Sequence, residues 1–141
     1  MSEDKIILNK KVLNREEAIR LAAKPLLDNG DIKEEYVDDI INKMEELGPY
    51  MAIMPSVVIA HSRPGELVER DCISMMTLDE PVYFGNEDND PIEIIFVIAA
   101  KENNSHLDVL QDLARVLIDE EAVNKIKEAN NSKEVLDILS W

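Results

Sequence analysis

The sequence predicts a single α/β domain, residues 1–141, in which a mixed β-sheet carries helices on both faces. Three observations lead there. Helix-period stretches occupy both ends of the chain, and β-branched runs that read as strands fill its middle. One of these runs, Ile92 to Ala100, is nearly all apolar, as a central strand covered on both faces requires. The connections are too irregular for a repeated strand–helix unit, so the sheet should be mixed rather than purely parallel. With 141 residues, 45% hydrophobic and 32% charged, the chain has the size and balance of one compact domain with one core. It contains no internal repeat, linker or low-complexity segment.

Taken in order, Ile6, Ile7 and Leu8 form either a short first strand or an N-terminal clasp. Asn14 followed by Glu17 is a helix-start pattern, Asn capping and Glu reaching back. Ala18, Ile19, Ala22 and Leu26 share one face of that helix; Pro25 should break or kink it, and Asn29-Gly30 should end it. Asp31 and Glu34 repeat the cap pattern before a second helix. Its apolar face comprises Tyr36, Val37, Ile40, Ile41, Met44 and Leu47, with Asp38, Asp39, Lys43 and Glu46 facing outward. Gly48-Pro49 is a stop signal.

Residues 50–60 switch to strand character, and Arg63 to Glu66 reads as a turn. Asp71 to Leu78 is a strand, Asp79-Glu80-Pro81 an interruption, and Val82 to Phe84 a short resumption. Gly85 to Pro91 is an acidic loop. Ser105, with Asp108 three residues on, should cap a third long helix whose stripe is Leu107, Leu110, Leu113, Ala114 and Leu117. Asp119 to Ala129 and Ser132 to Leu139 are two shorter helical patterns.

Composition narrows the function. The formal charge is −15, and residues 44–100 carry eleven Asp and Glu against only Arg63 and Arg70. Nucleic acids and anionic membranes are bound largely through clustered bases, so neither is an expected partner; a basic protein is. No apolar run approaches the ~20 residues of a bilayer span, so no membrane insertion is expected. Met1 to Lys5 has no signal-peptide character, and the single cysteine, Cys72, permits no internal disulfide. A cytoplasmic location is the expectation.

Several site classes are missing. With glycines only at positions 30, 48, 65 and 85 there is no phosphate-cradling loop, and no cofactor is expected. The two histidines are 45 positions apart and Cys72 stands alone, so no zinc spacing exists. Cys72 reads as a small buried hydrophobe. The acidic loop lacks calcium-loop spacing and reads as a solvated turn.

The histidines remain. His61 closes the apolar run Met54 to Ala60, where a side chain is held firmly yet reachable from outside. His106 falls in the first turn of a helix, whose dipole favours neutral imidazole. A neutral imidazole is a competent nucleophile, a second can orient it, and Arg63 is placed to bind a phosphoryl charge. Spacing alone nevertheless favours two unrelated structural histidines and a surface Arg63.

Gly48-Pro49-Tyr50 followed by Ile59-Ala60-His61-Ser62-Arg63-Pro64 resembles the active-site segment of phosphotransferase-system (PTS) IIA domains of the mannitol/fructose-type superfamily. Further collinear matches are Val82 to Gly85, the Asp88-Asn89-Asp90-Pro91 turn, Ile98-Ala99-Ala100 followed by Ser105-His106, and Val135 to Leu139. The likeness spans nearly the whole chain and is greatest to the ascorbate-type branch. These combined matches outweigh the bland reading of the histidines.

The resemblance implies a cytoplasmic phosphoryl-relay component of a sugar-uptake system. His61 would be the phosphorylated histidine, taking the group from phosphorylated HPr and passing it to a cysteine of a IIB domain or subunit. His106 would be the second active-site histidine. Two departures stand out. Ala60 and Ser62 replace the usual flanking proline and alanine, and an upstream arginine of mannitol-type members falls at Glu45. Arg63 or backbone N–H groups would then carry that arginine's electrostatic work. A regulatory IIA-like protein and a non-catalytic interaction domain on the same fold are the alternatives.

Overall fold

A computed structural model describes residues 1–140. Its strands are β1 (Ile6–Lys10), β2 (Ala52–Met54), β3 (Val57–Ala60), β4 (Cys72–Val82) and β5 (Ile92–Ala99). Its α-helices are α1 (Arg15–Asp28), α2 (Glu34–Leu47), α3 (Asn103–Leu117), α4 (Glu120–Glu128) and α5 (Ser132–Leu139). The strands form one sheet in the order β1-β4-β5-β3-β2. The β1–β4 and β3–β5 pairs are parallel, while β4–β5 and β2–β3 are antiparallel, so the sheet is mixed as expected.

Strand alternation divides the core into two layers. Along β5, Ile95, Val97 and Ala99 join α1 and α2, whereas Ile94, Phe96 and Ile98 join α3, α4 and α5. Along β3, Val58 and Ala60 face the first layer, and Val57 and Ile59 the second. Helices therefore cover both faces, and β5 is the central strand that its unbroken apolar run requires.

Asn14 caps α1 by accepting the N–H of Glu17 at 2.9 Å. Pro25 does not end this helix, which runs on to Asp28. Proline removes one backbone hydrogen bond, but Ala18, Ile19, Ala22, Ala23 and Leu26 are all fully buried, and that packing carries the helix through. Asp31 does not cap α2. Lys33 occupies the cap position, and Asp31 is buried as the partner of Arg70 and Asn29. Leu47, expected on the apolar face, is 69% exposed. Gly48 closes α2 at φ +83°, where a side chain would be strained.

Residues 50–60 do not form one strand. Pro55 and Ser56 make a two-residue turn between β2 and β3, with Ser56 at φ +72°. Such a turn usually takes glycine or asparagine there, so the signal was hidden in the sequence. Backbone bonds from Ser56 to Asn89, Glu93 and Ile94 hold the conformation. Conversely, Asp79 to Pro81 does not interrupt β4. Pairing with β1 ends at Lys10–Leu78, and the β5 register shifts between Thr77 and Val82, so Pro81 sits where no regular ladder bond is lost. The acidic loop is closed by Asp90, whose carboxylate accepts the N–H groups of Phe84, Gly85 and Asn86 at 2.9, 2.8 and 2.9 Å.

Helix α3 starts two residues before Ser105, with Glu102 at the cap position. The Ser105 hydroxyl donates to the Glu102 carbonyl at 3.0 Å instead of capping. The buried stripe also differs: Leu113 and Leu117 are buried and Val109, Leu110 and Val116 half-buried, whereas Leu107 and Ala114 are exposed. Helices α4 and α5 follow the sequence reading closely, capped by Asp119 and Asn131.

Candidate active site

Parallel pairing of β3 with β5 builds the site. Ala60 lies opposite Val97, so His61 leaves the sheet at the level where β5 is about to deliver the chain into α3. The same edge of the sheet thus receives a strand end and a helix start. There the rings of His61 and His106 approach to 5.2 Å between centroids, tilted by 53°. Arg63 and Pro64 line the same shallow cleft of about 300 Å³. All three residues singled out in the sequence, His61, His106 and Arg63, are therefore brought together.

The His61 ring is held in one tautomer. Its Nδ1 lies 2.9 Å from the carbonyl oxygen of Ile59. A carbonyl can only accept, so Nδ1 carries the proton and the lone pair is on Nε2. Tyr50 packs edge-on against the ring at 5.8 Å and 88°, and its hydroxyl donates to the His61 carbonyl at 3.1 Å. Burial, and secondarily Asp39, push the Tyr50 phenol upward, so it remains a neutral donor at physiological pH.

Below the loop, the buried Tyr36 hydroxyl accepts the N–H of Ser62 at 3.0 Å and donates to the Ile98 carbonyl at 2.8 Å. One hydroxyl thereby ties the end of β3 to the end of β5, and burial raises its pKa well above the ordinary phenol value. Helical periodicity shows Tyr36 only as a core residue.

His106 lies in the first turn of α3, its N–H bonded to the Glu102 carbonyl at 3.2 Å. Burial, and then the neighbouring His61, lower its pKa. Both causes favour its neutral form. Its Nδ1 is buried with no hydrogen-bond partner among the described residues.

Charged side chains surround the cleft unevenly. Arg63 is exposed, and no hydrogen bond or ion pair holds its guanidinium among the described residues. Glu45 is turned to Arg15, 3.2 Å from Nη2, while the other guanidinium nitrogen donates to the Phe84 carbonyl at 2.7 Å. A second cation, Lys43, also lines the cleft and donates to Ser62 Oγ at 2.7 Å and to Asp39 at 3.0 Å. Helical periodicity alone places Asp39 and Lys43 on the outward face. Their i, i+4 spacing was the available signal.

A second cleft of about 340 Å³ lies between the β2–β3 turn and α4. Neither histidine nor cysteine lines it, and its Lys127 is paired with Glu93 at 2.9 Å. Cys72 is largely buried against the first core layer, and burial pushes its thiol up to about 12. Of the two clefts, the one at His61 and His106 is thus the one that brings two histidines and two cations together.

Known proteins share this fold. Residues 1–141 match the family described as the phosphoenolpyruvate-dependent sugar phosphotransferase system, EIIA 2. The ascorbate-specific PTS system EIIA component of Salmonella typhi is 31% identical over 125 residues, covering 88% of this chain and 81% of the relative. The solution structure of the mannitol-specific cryptic phosphotransferase enzyme IIA CmtB from Escherichia coli superposes with a TM-score of 0.88 at 30% identity, over 99% of this chain and 94% of that one. Enzyme IIAMTL of E. coli, in its complex with phosphorylated enzyme IIBMTL, gives 0.88 at 28% identity over 99% and 96%. A family match that runs the whole length of the chain, on a mixed five-stranded sheet shared with solved IIA structures, makes this chain a member of the EIIA 2 family of the sugar phosphotransferase system.

Proposed function

We propose that His61 is the residue that carries the phosphoryl group in this phosphotransferase. The observation that supports it most directly is the Nδ1–H bond to Ile59, which leaves the Nε2 lone pair free at the cleft. The donor is HPr phosphorylated on its own histidine. As Nε2 of His61 bonds to phosphorus, the donor's N–P bond breaks and its electron pair returns to the donor imidazole. Each ring keeps its other N–H proton, so charge and protons balance.

Transfer between two imidazoles is close to thermoneutral, so positioning and charge neutralisation decide the rate. The Ile59 carbonyl holds the ring, Tyr50 packs on it, and His106 borders the reacting face. Neutral His106 does not repel an imidazolium forming on His61, and it donates to or orients the phosphoryl group. Arg63 adds a screened positive charge at the rim. Passage to a IIB cysteine follows, in keeping with the IIAMTL–IIBMTL complex. Among the described residues no helix is long and apolar enough to cross a membrane, and a cytoplasmic relay fits that. The −15 charge favours encounter with basic groups on a partner.

Incubation with phosphoenolpyruvate and the purified general phosphotransferase proteins, followed by intact mass and peptide mapping, tests the assignment. One added phosphoryl group on the peptide containing His61 is expected. Modification elsewhere, or none, overturns it.

A further inference from the structure

We propose that Lys43, held in place by Asp39 and Ser62, is the cation that binds the phosphoryl group on His61. This inference rests on the reading of His61 as the phosphorylated residue. A phosphoryl group brings nearly two negative charges to the cleft, and the protein must meet them with donors already near His61. Two cations line the cleft, Lys43 and Arg63.

Their surroundings differ. Arg63 is exposed and unheld among the described residues, so solvent and salt screen it. The Lys43 side chain is only 24% exposed. Its ammonium donates to Ser62 Oγ at 2.7 Å and Asp39 at 3.0 Å, and the Ser62 hydroxyl donates in turn to the same Asp39 carboxylate. An ammonium has three donors. Two are engaged, and the third is left for a phosphoryl oxygen.

The position is built from two directions. Ser62 follows His61 in sequence, and its N–H is tied to Tyr36 one helical turn before Ile40, on the same helix that carries Asp39 and Lys43. The lysine therefore sits in register with the nucleophile through the backbone of the residue next to it. The Ser62 hydroxyl, and then Lys43, hold the Asp39 carboxyl below its ordinary range, so the pairing persists at physiological pH. Asp39 and Ser62 are positioning residues; Lys43 is the group that touches phosphate.

Lys43→Gln, Lys43→Arg and the unaltered chain, each phosphorylated with phosphoenolpyruvate and the general phosphotransferase proteins, provide the test. Phosphorus NMR reads the second ionisation of the phosphoryl group, which a structural role for Lys43 would not move. Loss of an adjacent cation in Lys43→Gln should raise that ionisation by about one pH unit. The same variant should be phosphorylated about tenfold more slowly, and Lys43→Arg should recover most of both effects. If the unaltered chain is labelled on His61 while Lys43→Gln shows the same ionisation and rate, the Lys43 assignment is wrong and the His61 reading stands. If the unaltered chain takes no phosphate on His61, both fall together.

Discussion

The Nδ1–H of His61 donates to the carbonyl of Ile59, two residues back in the strand that His61 follows, at 2.9 Å. Strand β3 thus supplies both the position of the nucleophile and its tautomer. Its phosphorylated form should carry phosphorus on Nε2, and proton–nitrogen correlation spectra of the phosphorylated protein can assign the nitrogen. A phosphoryl group on Nδ1 would contradict the geometry. His61→Ala should lose acceptance altogether and keep its melting temperature within a few degrees, because the ring is only half-buried and substitution leaves the Ala60 core contact intact.

Arg63→Ala should slow phosphoryl acceptance by less than about tenfold at 0.15 M salt, since an exposed cation is screened over a Debye length of roughly 8 Å. Its effect should grow as salt is lowered. Stopped-flow or quenched transfer at two ionic strengths measures this, and a salt-independent loss would mean that the guanidinium binds phosphate directly.

His106 should be neutral at pH 7 in the resting protein, its pKa lowered by burial and by His61. The unfolded chain, with a histidine pKa of about 6.5, then binds the proton first. This contribution is fully present above pH ~6.5 and declines as the pH falls toward the folded value. Urea midpoints at pH 7.5 and 5.5 should fall further for the unaltered protein than for His106→Gln. Phosphorylation of His61 adds nearby negative charge, so the His106 imidazole resonances should titrate at higher pH afterwards.

Tyr36→Phe removes the hydroxyl shared by the Ser62 N–H and the Ile98 carbonyl, leaving both backbone groups unpaired under the site. A cost of about 1–3 kcal/mol is expected from urea unfolding. Transfer by the folded variant should also slow, because the residue following His61 loses its anchor. Unchanged stability with unchanged rate would show that water replaces the hydroxyl.

Much was written in local sequence. Asn14 with Glu17, Gly48, Asn131 and the apolar run of β5 declare their elements through caps and period alone, because those bonds close within a few residues. The layered α/β class follows from the order of those elements, and His61 stands out because a strand ends there. Other features depended on partners distant in the chain. Ser56 adopts a glycine-like turn because Asn89, Glu93 and Ile94 hold it, and Pro25 stays helical because α1 is buried on the sheet. His106 meets His61 only through the parallel β3–β5 register, which nothing within 45 residues of chain announces. Lys43 becomes part of the site because Ser62 and Asp39 bind it across the α2–β3 junction, and periodicity records which face a residue occupies but not which side chain it finds there.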